Sequence, residues 1–114
     1  KRINLYNIYK QSLNNSSYLP TITNRYGHVP FCFPIFCDNS DKRSQAIDFC
    51  NDNEIESRPI ISGNLLKQTC YKKYDDYKNF KNSDYLHNNA FYVGLHSRVT
   101  KQNILKLTTY LNNL

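Results

Sequence analysis

The chain has 114 residues, a formal net charge of +6, 39% apolar residues and 14% aromatic residues. A chain of this length buries roughly two thirds of its unfolded surface, so we expect one domain, residues 1–114, with a real core. Ten tyrosines and six phenylalanines supply enough apolar surface to exclude a disordered tail.

The positive charge raises the question of a polyanionic partner such as nucleic acid. The 15 Lys and Arg and the 9 Asp and Glu are spread over the chain, and the basic pair at 72–73 is followed at once by the acidic pair at 75–76. This mixing argues against a basic tail or a nucleic-acid-binding arm. A small basic α+β module that binds an anionic partner stays open as the alternative interpretation.

The four cysteines fit neither a CxxC pair nor a zinc pattern completed by histidine. Most lie in apolar runs, where a reduced thiol behaves as a small apolar side chain. We therefore expect four reduced thiols in or near the core of a cytoplasmic protein. The apolar stretches are too short for a signal peptide or a membrane span. The cysteines are Cys32, Cys37, Cys50 and Cys70.

The first half of the chain predicts a helix, a strand and a second helix. The opening KRINLYNIYKQSLNN has apolar residues at helical spacing, and a loop punctuated by Pro and Gly follows at 16–30. The apolar run 31–37 predicts a strand, which Pro34 places at a sheet edge or a bulge. Residues 38–53 predict a helix capped by Ser40 or Asp41.

The next segment predicts a second strand and a turn. Residues 54–61 suit an extended backbone because Arg58 precedes a proline, and Ser62-Gly63-Asn64 then turns the chain. Residues 65–80 lack clean periodicity and predict a short helix with irregular loop.

The last part predicts a helical turn in SDYLHNN capped by Ser83, a third strand in AFYVGLH, and a closing helix. Thr100 caps that helix, and its apolar residues form one stripe. The whole order predicts the α+β class: a small, mostly antiparallel sheet with helices packed on one face.

Three positions are candidates for chemistry. The rigid proline after Arg58 holds a planar fork suited to carboxylate or phosphate; the alternative is a strand-edge arginine paired with Glu54, Glu56 or an aspartate. Asn64 favours a turn, although its amide could bind a hydroxyl-rich ligand. His96, at a strand end, is equally a site residue or a surface residue. No set of these residues completes a catalytic cycle, which indicates a binding or supporting domain.

The ordered stretches ESRPIISGNLLKQ, NSDYLHNNAFYVGLH and TKQNILKLTTYLNNL resemble the C-terminal small domain of the DegT/DnrJ/EryC1/StrS sugar aminotransferase and dehydratase family. The nucleotide-sugar 3-dehydratase branch is the most similar. The resemblance extends upstream to KRINLYNIY and VPFCFPIFC. Thr69-Cys70 after the glutamine, and the lack of a proline in GLHSRVT, depart from the family pattern and leave the substrate open.

The resemblance implies a homodimeric enzyme of fold type I that depends on pyridoxal phosphate, with a large cofactor-binding domain absent from this chain. It implies substrate binding by Arg58, Asn64, Gln68 and His96, and assigns no catalytic, cofactor-binding or metal-binding residue here. The expected function is C3 dehydration or amino transfer on a nucleotide-linked keto-deoxysugar, in lipopolysaccharide, O-antigen or other surface polysaccharide synthesis. The isolated chain is expected to be inactive.

Overall fold

A computed structural model describes residues 1–14, 18, 29–74 and 79–114; most of the predicted loop at 16–30, with His28, lies outside them. Two 3-10 helices, Leu65–Lys67 and Thr69–Tyr74, precede the third α-helix. No described helix is long and apolar enough to cross a membrane. The helices and strands are α1 (Arg2–Ser12), β1 (Cys32–Phe36), α2 (Ser40–Asp52), β2 (Ser57–Pro59), α3 (Lys81–Asn89), β3 (Ala90–Gly94) and α4 (Lys101–Asn112).

The three strands form one antiparallel sheet in the order β1-β3-β2. Phe33 lies opposite Val93, and Ile35 opposite Phe91, so these four buried side chains share one face of the sheet. The α+β prediction is confirmed. Pro34 lies in the edge strand β1, as predicted, where its missing N–H interrupts no central ladder.

The core lies between this face of the sheet and the helices. The Tyr9 ring of α1 stacks on Phe33 with the ring centroids 4.5 Å apart. The predicted stripe of α4 is buried, and each such apolar side chain contributes about 1.5–3 kcal/mol relative to exposure. The chain thus has a continuous core of its own, which includes Leu5, Tyr9, Phe33, Ile35, Phe91, Val93, Ile104, Leu107 and Leu111.

The second strand is much shorter than predicted, covering Ser57–Pro59 rather than 54–61. Glu54 has φ 55°, in the left-handed region that an extended strand cannot contain. The Glu54 N–H donates to the Asn51 carbonyl oxygen at 3.3 Å. The turn that ends α2 therefore includes the start of the predicted strand.

Two predicted helix caps were wrong. The N-cap of α2 is Asn39, whose Oδ1 accepts the Lys42 N–H at 2.9 Å; Ser40 is already the first helical residue. The helix α3 begins at Lys81 and has no side-chain cap, so Ser83 lies inside it. The Thr100 cap is confirmed and forms a reciprocal capping box with Asn103.

All four cysteines are free thiols. Cys37 and Cys50 are buried and Cys32 is half-buried, as the apolar runs predicted. Cys70 is exposed, which corrects the prediction that it lies in or near the core. Within its 3-10 helix, Thr69–Tyr74, none of the residues whose burial the structure describes belongs to the core cluster.

Candidate functional site

The outer face of the sheet carries Arg58. Arg58 lies opposite Tyr92 of β3, and Tyr92 lies opposite Pro34 of β1. Because directly opposed residues share a face, these three form one row, the Arg58 row, on the side turned away from the core. Phe31, 65% exposed, meets Tyr92 edge to face with the ring centroids 6.0 Å apart. The row is therefore a partly exposed surface, in which Pro34 and Tyr92 are half-buried and Arg58 is exposed.

Glu56 holds the Arg58 guanidinium. Nε and one terminal nitrogen of Arg58 donate to the same oxygen, Oε1 of Glu56, at 3.0 and 2.6 Å. The hydrogen bond and charge of Glu56 raise the pKa of Arg58. The two side chains stay 63% and 65% exposed, so the pair adds little stability. This pairing is the alternative foreseen from sequence, and it leaves the fork accessible to an anionic ligand.

His96 lies on a separate cavity of about 210 Å³, to which Glu56, Arg98 and Tyr9 also contribute. Its Nδ1 accepts the Arg98 N–H at 3.2 Å. A Cβ at Gly94 would lie 3.2 Å from the imidazole, so a side chain there would press on the ring. Glu56 connects this cavity with Arg58, which brings two of the predicted residues into one neighbourhood.

Asn64 is only 2% exposed. Its Oδ1 accepts the Leu66 N–H at 3.1 Å and caps the short 3-10 helix that follows. Its own backbone N–H donates to Nδ1 of His87 at 3.4 Å. The placement of Asn64 favours a role in shaping the loop.

Gln68 is exposed and lines another cavity, of about 650 Å³, together with Ser62 and Pro59. Its Nε2 reaches the Ser62 carbonyl oxygen at 3.5 Å, which is a weak hydrogen bond. Pro59 lines this cavity and directly follows Arg58 in the sequence. The cavity is therefore next to the Arg58 row. The four predicted residues therefore fall into two groups, Arg58 with His96 and Asn64 with Gln68.

One face of α3 anchors the loop at 62–68. Lys67 pairs with Asp84 and donates to Oδ1 of Asn88 at 3.2 Å, and this lysine lowers the pKa of Asp84. Gly63 has φ +64°, and a Cβ there would lie 2.5 Å from Nδ1 of His87. Glycine is needed at this position for both reasons.

Sequence reasoning gave little weight to His87 and missed Tyr92. Asp84, His87 and Asn88 are spaced i, i+3, i+4, which places them on one helical face and could have indicated a shared role. The only sequence signal at Tyr92 was its place in the predicted strand AFYVG. Strand register, which the sequence did not give, is what sets it beside Arg58.

A sequence model of the DegT/DnrJ/EryC1/StrS aminotransferase family matches residues 1–112. The chain belongs to this family. GDP-4-keto-6-deoxy-D-mannose 3-dehydratase of Escherichia coli O55:H7 (strain CB9615 / EPEC) is 42% identical over 69 residues, which are 58% of this chain and 18% of that protein. Membership favours the enzyme-domain interpretation over a basic module that binds nucleic acid.

Solved structures show the same fold. GDP-4-keto-6-deoxymannose-3-dehydratase with a trapped PLP-glutamate geminal diamine matches with a TM-score of 0.75 and 29% identity, over 96% of this chain and 30% of that one. The E. coli GDP-4-keto-6-deoxy-D-mannose-3-dehydratase with bound hydrated PLP gives 0.71 and 30%, with the same coverage.

A Streptococcus pneumoniae protein described as a sugar aminotransferase, in its PMP form, gives a TM-score of 0.80 at 15% identity, over 98% of this chain and 30% of that one. At that identity the likeness concerns the fold alone. The chain spans less than a third of the length of each of these relatives.

The lysines whose side chains the structure describes do not fit an attachment site for pyridoxal phosphate. A lysine that forms a Schiff base needs a lowered pKa, from burial or a cationic neighbour. The pKa of Lys42 is instead raised by its hydrogen bond to Asp38, and Lys67 pairs with Asp84. Every other lysine whose side chain the structure describes is exposed. No chemical step through the cofactor is therefore derived from these residues.

Proposed function

We propose that this chain is the C-terminal domain of a pyridoxal-phosphate-dependent enzyme that acts on a nucleotide-linked keto-deoxysugar. The reaction is C3 dehydration or amino transfer, in the synthesis of lipopolysaccharide, O-antigen or another surface polysaccharide. Family membership over residues 1–112 and the 42% identity to a 3-dehydratase support it. The structural observation that carries it is the exposed Arg58 fork, fixed beside Tyr92 on the open face of the sheet.

The domain's part in this function is to bind and orient substrate. Pyridoxal phosphate, when bound, supplies the electron sink, and the protein decides which bond is broken. Arg58 offers a planar fork for an anionic or hydroxyl group, and Tyr92 offers a ring edge or face beside it. Gln68 and His96 add exposed polar groups on the two cavities that they line. The side chain of Asn64 caps the short 3-10 helix just before Gln68.

The proposed enzyme would also need a large domain and a second subunit. The cofactor would be held by a large domain, and two subunits would form a homodimer in the cytoplasm. A partly exposed sheet face with an aromatic ring and a cation fits a domain that closes over substrate bound elsewhere, because such a face gains from being covered.

The test uses the full-length enzyme that carries this domain, with pyridoxal phosphate, nitrogen-15-labelled glutamate and GDP-4-keto-6-deoxymannose. Amino transfer places the labelled nitrogen in the sugar, whereas dehydration removes the C3 hydroxyl and leaves the sugar unlabelled; mass spectrometry separates the two. The 114-residue chain alone serves as the inactive control. Full-length enzyme that produces neither sugar from this or a related nucleotide-linked keto-deoxysugar contradicts the proposal.

A further inference from the structure

Arg43 and His87 lie at the boundary of two neighbouring cavities. Both residues line the cavity of about 650 Å³ that contains Gln68. Both also line a more polar cavity of about 560 Å³ beside the start of α2. Neither residue was a predicted site residue, and the proposed function gives neither a role.

Arg43 is half-buried and held at its base. Its Nε donates to the Ala90 carbonyl oxygen at 2.9 Å, which fixes the guanidinium plane at the junction of α3 and β3. Among the residues that the structure describes, no group bonds its two terminal amino groups. A guanidinium held in this way presents a preorganised pair of donors, the geometry that phosphate and carboxylate prefer.

His87 supplies a further donor. Its Nδ1 accepts the backbone N–H of Asn64 at 3.4 Å, so the neutral imidazole carries its proton on Nε2. That Nε2 has no bonding partner within the described part of the chain. The Gly63 turn packs against the same ring, which limits the rotamers the ring can adopt.

The carboxylates near this corner are already compensated. Asp38, which lines the polar cavity, pairs with Lys42 at 3.2 Å. Asp84, one turn before His87 on α3, pairs with Lys67. The Arg43 charge is therefore not cancelled by a dedicated acidic partner, and an incoming anion meets a net positive corner.

We propose that Arg43 and His87 form a phosphate-binding site at the boundary of these two cavities. The two terminal amino groups of Arg43 and Nε2 of His87 donate to phosphate oxygens. Gln68 and the apolar Leu65, on the same cavity wall, contact the rest of the ligand. The choice of a nucleotide-linked sugar as the phosphate source rests on the proposed function; free inorganic phosphate is the other source of the same chemistry.

The test is a titration of the isotope-labelled 114-residue chain, which has its own core, followed by NMR. The probes are inorganic phosphate, pyrophosphate and a nucleoside diphosphate. We expect saturable shifts at Arg43 and His87 with the probe that binds best. Arg43→Gln should weaken its binding at least about tenfold, because a charge-assisted pair of bonds is lost. Arg2→Gln, an exposed change on α1, should change it less than about twofold.

Arg43→Lys and His87→Ala keep the proposal testable where Arg43→Gln disturbs the fold, since Arg43→Lys retains the charge and loses the fork. We expect each to weaken binding by roughly threefold or more. Tighter binding of the nucleoside diphosphate, with shifts spreading to Leu65 and Gln68, identifies the substrate as the phosphate source; equal affinity for phosphate identifies the free anion. The proposal is overturned by the absence of saturable binding, or by binding that all three variants leave unchanged. Either result leaves the turnover assay of the full-length enzyme as a separate test of the proposed function.

Discussion

Arg58 and Tyr92 lie directly opposite each other in two antiparallel strands, on the face of the sheet turned away from the core. Glu56 orients the guanidinium without burying it, and the hydrogen bond and charge of Glu56 raise the pKa of Arg58. The proline after Arg58 stiffens the backbone beneath it. Arg58 is thus oriented by its contact with Glu56, while its side chain stays largely exposed to solvent.

Replacing Arg58 separates folding from function. In the full-length enzyme, Arg58→Ala should lower kcat/KM at least about tenfold, because a charge-assisted contact to substrate is lost. The midpoint of urea unfolding should stay close to that of the wild type, because the side chains of Arg58 and Glu56 are mostly exposed. Steady-state kinetics and urea unfolding measure the two effects. Lys106→Ala, an exposed change on α4, is the control; an Arg58→Ala enzyme with wild-type kcat/KM would refute a binding role.

Gly63→Ala should destabilise the chain by about 1–3 kcal/mol, because a Cβ there combines a left-handed φ with a clash against His87. Thermal unfolding followed by circular dichroism measures the loss. Gly94→Ala, whose Cβ would lie 3.2 Å from the His96 ring and needs no left-handed φ, is the matched control and should cost less. In the double variant Gly63→Ala with His87→Ala, part of the loss should be recovered; full additivity would show that the clash is not the cause.

Asp84 makes stability depend on pH. Its folded pKa lies below its ordinary value, chiefly because Lys67 donates a hydrogen bond to it. The ion pair therefore stabilises the fold above the unfolded pKa of aspartate, about 3.9, and this contribution is lost as the pH falls through the lower folded pKa. Urea unfolding between about pH 2 and 6 measures it. Lys67→Met should flatten the curve in this window; an unchanged slope would place the pH dependence elsewhere.

The four thiols should differ in reactivity. Burial raises the pKa of Cys37 to about 11 and that of Cys50 to about 12, whereas Cys70 is exposed. Since the thiolate is the reactive form, Ellman's reagent should label Cys70 first, the half-buried Cys32 more slowly, and Cys37 and Cys50 only on unfolding. Cys70→Ser should remove the fast phase, and rapid labelling of Cys50 in the native protein would contradict the burial of this thiol.

Much of the fold followed from local pattern. The closing helix was predicted with its Thr100 cap and its buried stripe. Pro34 predicted either a sheet edge or a bulge, and the structure shows the edge. The second strand was predicted to be too long because Glu54 adopts a left-handed conformation that its local sequence does not demand. Asn39, and not Ser40 or Asp41, caps α2. Asn, Ser and Asp are all favoured at the N-cap, so residue type alone does not choose among neighbours.

The sequence by itself determined the class of fold, the core stripes and the family, and it predicted a substrate-binding role for Arg58, because periodicity, proline geometry and motif order are properties of neighbouring residues. Only the tertiary structure decided what surrounds that arginine. The register of β2 on β3 sets Tyr92 beside Arg58, and the packing of α3 sets His87 against Gly63. Such pairs depend on contacts between residues distant in the chain, which side-chain type and spacing alone do not fix.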